Sequence, residues 1–153
     1  MAILDKRNEF ASAVAIPAAA GTVAVGDVID LQGLGGGSVI GKQRDAGNGE
    51  DVVWYVSINA AGAGGTSVQF QLVSSAASDL SSPNIHTQSA VIPLASLTAG
   101  KVILQITLPL EDPTYLRYLG IRAVTVGTFS GGTFSSGLKL DATAWKAYAD
   151  ADN

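Results

Sequence analysis

The run that comes nearest to a chemical motif is the glycine-rich segment Gly36–Gln43. It approaches a phosphate-binding P-loop, in which a serine or threonine after the lysine coordinates magnesium. In this chain Gln43 follows Lys42. The next residues are typical of a turn rather than of the helix whose N-terminus would hold phosphate. We therefore interpret the run as a glycine-rich hairpin tip.

The titratable side chains do not form a recognisable catalytic or metal-binding pattern. The chain has one histidine, His86, and no cysteine, which excludes a thiol nucleophile, a cysteine-ligated zinc site and a disulfide scaffold. The adjacent carboxylates at 50–51 and 111–112 point to opposite faces of an extended chain. The one alternative left open is a catalytic pair of carboxylates contributed by two separate strands, as in a glycosidase. We predict no catalytic residue, no cofactor and no metal.

Composition narrows the class of protein and of partner. Of the 153 residues, 47% are hydrophobic and 14% are charged, which is typical of one globular domain and not of a disordered chain. The net charge of −4 predicts no nucleic-acid partner. No run approaches the roughly 18 apolar residues of a membrane helix. The charges before the apolar stretch at 10–20 sum to zero, so we expect no signal peptide and synthesis in a cytoplasm.

Alternating polar and apolar residues indicate antiparallel strands with one face on a core and one in water. The clearest segments are Ser67–Val73, Lys101–Leu108 and Thr133–Leu140. The predicted inward residues are Val68, Phe70, Leu72, Val102, Leu104, Ile106, Leu108, Phe134, Leu138 and Leu140. Further strands are predicted at Val23–Leu31, Val52–Ile58, Ser89–Leu97 and Tyr115–Val126. Pro93 places its segment at a sheet edge or a bulge.

These strands predict an all-β, jelly-roll-like antiparallel β-sandwich of about seven or eight strands, with short terminal arms. Only Ser12–Ala20 and Asp141–Asp150 have a composition that allows helix. The predicted division is an N-terminal arm at 1–20, a sandwich domain at 21–141 and a C-terminal tail at 142–153.

In matching order along the chain, several segments resemble the capsid cement (decoration) proteins of tailed bacteriophages, specifically the podophage-type jelly-roll cement proteins. The resembling stretches are Ile3–Phe10, Gly26–Leu31, Arg44–Glu50, Ile92–Gly100, Tyr118–Arg122, Gly127–Gly132 and Leu138–Asp141. Two segments depart from the pattern: Gln32–Gln43 looks like an insertion, and Ala142–Asn153 extends past its expected end.

The resemblance implies a structural protein of the virion capsid surface, made in the host bacterial cytoplasm. Its implied partner is the major capsid protein of a phage head, whose neighbouring capsomers it would bridge. The alternative is a carbohydrate-binding β-sandwich module, because such sandwiches also host lectins. The aromatic residues open to a sugar site would be Trp54, Tyr55, Tyr115 and Tyr118.

The strand at 52–58 is apolar on both faces, which predicts self-association. Val52, Trp54, Val56 and Ile58 would face the core, and the other face would carry Val53 and Tyr55. One face of a sandwich strand usually meets water. We therefore predict a dimer or trimer in which a second copy covers Val53 and Tyr55, with coverage by the chain's own terminal arm as the alternative.

The two terminal segments carry spaced large apolar residues without a predicted partner strand. These are Ile3, Leu4 and Phe10 near the beginning, and Trp145 and Tyr148 near the end. Such segments can order against a neighbouring subunit. We predict that the arms contact capsid or neighbouring cement subunits through these residues, with Phe10 and Trp145 as anchors. The alternative is that each arm packs on its own sandwich.

Overall fold

The computed structural model describes residues 8–31, 52–109 and 114–139. The strands are β1 (Glu9–Ala15), β2 (Gly21–Asp30), β3 (Val53–Gly64), β4 (Ser67–Ser75), β5 (Asn84–Gln88), β6 (Ile92–Pro93), β7 (Val102–Thr107), β8 (Tyr118–Val126) and β9 (Phe129–Lys139). A short 3-10 turn, Leu94–Ser96, follows β6. Within these ranges no helix has the length and apolar character to cross a membrane.

The strands form two antiparallel sheets packed as a sandwich. Sheet A has the order β1-β9-β3-β7, and sheet B has the order β2-β8-β4-β5, with β6 also paired to β4. The first and last strands are neighbours in sheet A, and each sheet alternates early and late strands. This is the strand order of a jelly roll. The predicted all-β sandwich is therefore confirmed, and the described part of the chain contributes eight longer strands and the two-residue β6.

Two adjacent corners carry the chain between the sheets. β3 of sheet A continues into β4 of sheet B, and β8 of sheet B continues into β9 of sheet A. Each of these connections is a corner at which the chain passes from one sheet to the other. The corners are joined by backbone bonds: Gly65 N–H donates to the Thr128 carbonyl at 2.6 Å, and Thr66 N–H donates to the Val126 carbonyl at 2.7 Å. Gly65 and Gly127 have φ of 59° and 80°, which L-residues with side chains rarely adopt.

The space between the sheets is filled by the residues predicted from alternation in β3, β4 and β9. Trp54, Phe70 and Phe134 are fully buried, and the rings of Phe70 and Phe134 lie 4.8 Å apart between centroids. The polar indole N–H of Trp54 donates to Ser136 Oγ at 2.9 Å, and that hydroxyl donates to the Tyr55 carbonyl at 2.9 Å. The buried indole N–H and the Ser136 hydroxyl therefore both have hydrogen-bond partners between the sheets.

The prediction of an arm or a helix near the N-terminus is wrong for residues 9–15, which form β1 in sheet A. β1 pairs with β9, with Glu9 opposite Gly137 and Val14 opposite Phe134. Phe10 is only 1% exposed and belongs to the core. The alternation was hidden because the pairing has two register shifts and Ala13 has φ of 51°. The domain boundary at residue 21 is accordingly wrong as well.

A second correction concerns β7 and the segment after β5. Val102 was predicted to face the core, but it is exposed, and Ile103 packs against the core instead. The pairing of β3 with β7 shifts register between Val56 and Ser57, which reverses the faces beyond that point. The strand predicted at 89–97 is reduced to β6, where Pro93 lies at the sheet edge as predicted.

Candidate functional site

The most site-like cluster of side chains lies at one end of the sandwich and consists of Ser74, His86 and Tyr115. His86 Nε2 is 2.7 Å from Ser74 Oγ, and the imidazole stacks on the Tyr115 ring with centroids 3.8 Å apart. Ser74 Oγ also accepts a hydrogen bond from the Leu116 backbone N–H at 2.8 Å. Tyr115 OH donates to the Pro109 carbonyl at 2.8 Å, and burial raises the pKa of Tyr115 to about 12.

This cluster has the atoms of a serine–histidine pair but lacks the access that nucleophilic catalysis needs. Ser74 is completely buried, so its hydroxyl cannot meet a substrate while β4 stays in place. The hydroxyl instead ties the segment before β8 to β4. His86 lies in β5. Across 8–31, 52–109 and 114–139, no three His, Cys, Asp or Glu side chains are grouped as a metal site.

The outer face of sheet A carries Val53 and Tyr55, two of the predicted contact residues. Both lie outside the core cluster, as the alternation predicted, yet they are only 8% and 7% exposed within the single chain. A Cβ placed on Gly137 would lie 3.2 Å from the Tyr55 hydroxyl, so the ring lies against the β9 backbone. Lys139 Nζ is 5.1 Å from the ring centroid. Burial and the nearby Glu9 carboxylate raise the pKa of Tyr55.

A second copy is therefore not needed to bury Val53 and Tyr55, and the predicted dimer or trimer loses the reason given for it. Phe10, the predicted anchor, is part of the core and is not available to a partner. Ile3, Leu4, Trp145 and Tyr148 lie outside the described residues, as does the insertion at 32–43.

The aromatics considered for a sugar site are poorly placed for stacking. Trp54 is fully buried, and Tyr55 and Tyr115 are buried as well. Tyr118 is half-buried, and the Arg117 guanidinium lies 4.9 Å from its ring centroid. Sugar rings stack on open aromatic faces, so these four residues do not form an exposed platform.

The outer face of sheet B presents exposed and half-buried apolar side chains near the corner end, which we call the valine patch. It consists of Val91, Pro93, Val124 and Val126. Across the sheet, Val126 lies opposite Ser67, and Ser67 lies opposite Pro93. Val91 and Val126 are 61% and 53% exposed. Because Ile92 belongs to the core, its neighbours Val91 and Pro93 point away from it.

The opposite end of the same face is covered and charged. Leu80 packs over Gly120, where an added Cβ would lie 2.6 Å from Leu80 Cδ1, and Leu80 itself is buried. Beyond it, Arg117 Nη2 donates to Asp30 Oδ2 at 2.8 Å. On this face Leu80 thus covers the position of Gly120, whereas Ile85, opposite Val73 on the neighbouring strand, is 45% exposed.

Sequence reasoning missed the valine patch because β8 carries apolar residues on both faces. Its inward residues include Ala123 and Thr125, which are no more hydrophobic than the outward Val124 and Val126. Hydropathy therefore did not show which face met the core. Val124 and Val126 lie opposite Gln69 and Ser67 on the polar face of β4. A correct pairing of β8 with β4 would therefore have identified their outward position.

Comparison with protein families gives one match that spans most of the chain. A family model described as Bbp16 matches residues 10–138, a range that begins within β1 and ends within β9. The match therefore covers the whole sandwich and includes β1, which had been predicted as an arm. No curated protein matches the chain.

Proposed function

Because this chain belongs to the Bbp16 family, which is phage-related, we propose that it is a structural virion protein. In this proposal it binds the outer surface of a tailed-phage capsid and bridges neighbouring capsomers. Its partners are the major capsid protein and further copies of itself. It is made in the host bacterial cytoplasm and acts on the capsid surface.

The observation that carries the proposal is the family match along the whole sandwich. It agrees with the resemblance of the ordered segments to cement proteins of tailed phages. The structure adds physical support, because its most site-like polar groups serve the fold: the Ser74 and Ser136 hydroxyls are buried and hydrogen-bonded internally. Within the described residues, the outer surface of the sandwich is the part that we propose for contact with the shell.

The proposed mechanism is stabilisation by binding. A protein that binds the assembled shell, but not its separated subunits, shifts the equilibrium toward the shell. At a concentration of about 100 times its Kd, each bound copy contributes about 2.7 kcal/mol. Internal genome pressure separates capsomers only after the bridges between them break, so the shell gains resistance to heat and to expansion.

Co-sedimentation with emptied phage heads tests this function. We expect the full-length protein to pellet with assembled heads, to saturate at a fixed ratio to the major capsid protein, and to raise the temperature at which the heads open. Unassembled capsid protein is the matched control, because a bridge needs neighbouring capsomers. Failure to pellet with heads would refute the proposal, and binding to a glycan array would favour the carbohydrate-binding alternative.

A further inference from the structure

The outer face of sheet A at Val53 and Tyr55 is buried more deeply than its described neighbours explain. Both side chains are buried within the single chain. The residues opposite them on β7 are exposed. On the other side, β9 contributes Gly137, which has no side chain, and the half-buried Lys139. Such neighbours do not shield two large side chains on an open sheet face, so their burial requires a further part of the protein.

The backbone at the start of β1 lies over the same part of this face. Gly137 is on the outward side of β9, because the adjacent Ser136 points into the core and bonds to an indole there. A Cβ on Gly137 would lie 3.2 Å from the Tyr55 hydroxyl oxygen and 2.7 Å from the Asn8 carbonyl oxygen. The absence of a side chain at this glycine therefore lets the backbone of Asn8 lie above the sheet, beside Tyr55.

The Tyr55 hydroxyl is a buried polar group at the point where Asn8 lies. None of the described residues gives it a hydrogen-bond partner. It lies within about 6 Å of the Asn8 carbonyl oxygen, because both oxygens are close to the position of the missing Cβ. A buried hydroxyl without a partner is unfavourable. The cover of this face is therefore expected to bring backbone donors or acceptors as well as apolar side chains.

We infer that this face of sheet A is the docking surface for the protein's own N-terminal segment, residues 1–7. The segment joins the described chain at Asn8, which lies beside the surface. Seven extended residues span up to roughly 23 Å, whereas neighbouring strands lie about 4.8 Å apart. The segment is therefore long enough to cross β9 and to cover Val53 and Tyr55. Because the cover belongs to the same chain, this face is closed to a second copy.

The composition of the segment suits this surface. Ile3 and Leu4 are adjacent large apolar residues, and their contact with the two β3 side chains would remove apolar area from water. The competing occupant is the C-terminal segment 140–153. That segment follows β9, whose last residue is still paired within sheet A, whereas the backbone of Asn8 is already above the sheet. The geometry thus favours the N-terminal segment.

Thiol protection tests the inference, because the chain has no cysteine. Val53→Cys introduces a single thiol under the inferred cover. Val102→Cys, at an exposed position of the same sheet, is the reactive control. Each variant is made in the full-length chain with and without the combination of Ile3→Ser and Leu4→Ser. We expect the serine pair to make the thiol at position 53 react at least about tenfold faster with a thiol reagent, and to leave position 102 unchanged.

Two further variants complete the test. Val68→Cys places a thiol in the fully buried core, where continued protection shows that the sandwich stays folded. Equal exposure at positions 53 and 68 would overturn the inference, because the segment would then hold the whole sandwich together rather than cover one face. Trp145→Ser combined with Tyr148→Ser alters the C-terminal segment instead.

Three other results would also overturn the inference. The thiol at position 53 could stay protected after Ile3→Ser and Leu4→Ser, or the C-terminal serine pair could expose it as strongly. Protection that falls on dilution of the otherwise unchanged chain would assign the cover to a second copy. Because no phage heads enter the experiment, its result is independent of the proposed function.

Discussion

Truncation of Phe10 to alanine tests whether β1 is an integral strand of the sandwich. The side chain is fully buried in the core, so Phe10→Ala removes a complete ring and leaves a cavity between the sheets. Such substitutions lower the free energy of unfolding by about 3–5 kcal/mol. For a domain of this size, 1 kcal/mol corresponds to roughly 4 °C in Tm. We therefore expect Tm to fall by about 12–20 °C.

The assay is thermal and urea unfolding followed by circular dichroism, with two controls on the same strand. Phe10→Leu keeps most of the apolar volume and should cost about 1 kcal/mol. Ser12→Ala changes an exposed residue of β1 and should stay within about 0.5 kcal/mol of wild type. If Phe10→Ala melts within about 3 °C of wild type, the ring is not part of the core, and residues 9–15 would again be interpreted as an arm.

Three further predictions address contacts described by the structure. Gly26 and Gly100 both have positive φ, 74° and 78°, but only at Gly26 would an added Cβ overlap the β1 backbone. We expect Gly100→Ala to lower the free energy of unfolding by roughly 1–2 kcal/mol and Gly26→Ala to lower it by at least twice as much. Equal urea midpoints for the two variants would contradict the overlap. Ser136→Ala leaves the buried indole N–H of Trp54 without a partner and should lower the free energy of unfolding by about 1–3 kcal/mol. Ser135→Ala should lower it less, because the hydrogen bonds of the Ser135 hydroxyl are exposed. Equal losses of stability would argue against a structural role for the buried bond. Burial raises the pKa of Tyr115 to about 12, above the roughly 10 of an unfolded chain, so the folded state retains the phenol proton longer. Its stabilisation is complete below about pH 10 and is lost as pH rises from about 10 to about 12; Tyr115→Phe should show a smaller fall in urea midpoint between about pH 9 and 11.5, and an identical fall would refute the assignment.

The sequence was most informative where each strand has one apolar and one polar face. In β4, the alternation of Val68, Phe70 and Leu72 with polar residues predicted both the strand and its inward side. In β3, Trp54 and Val53 were assigned to opposite faces, and the core contains only the former. These patterns were sufficient for an all-β sandwich, because repeated half-buried strands have few other arrangements.

The features that were not predicted depend on pairing between distant residues. Ala13 has a positive φ and interrupts the alternation of β1, so nothing local identified its partner β9. The face of Val102 depends on a register shift in the pairing of β3 with β7, where Ile103 is the extra residue, and the alternation along β7 alone does not show it. On the outer face of sheet B, Val126 is exposed whereas Leu80 lies over Gly120, and the sequence of β8 does not distinguish these two positions. Each requires the three-dimensional arrangement.

The position of the β8–β9 ribbon has a consequence for how the chain folds during synthesis. β8 separates β2 from β4, and β9 separates β1 from β3, so the last two of the described strands to be synthesised occupy inner positions in the two sheets. Among the described strands, β1 and β2 have no other pairing partner. The nascent chain must therefore carry its early strands unpaired until residues 118–139 leave the ribosome. Folding is then a late, chain-wide event governed by long loop closures, and the waiting chain exposes apolar strands to aggregation and to chaperones.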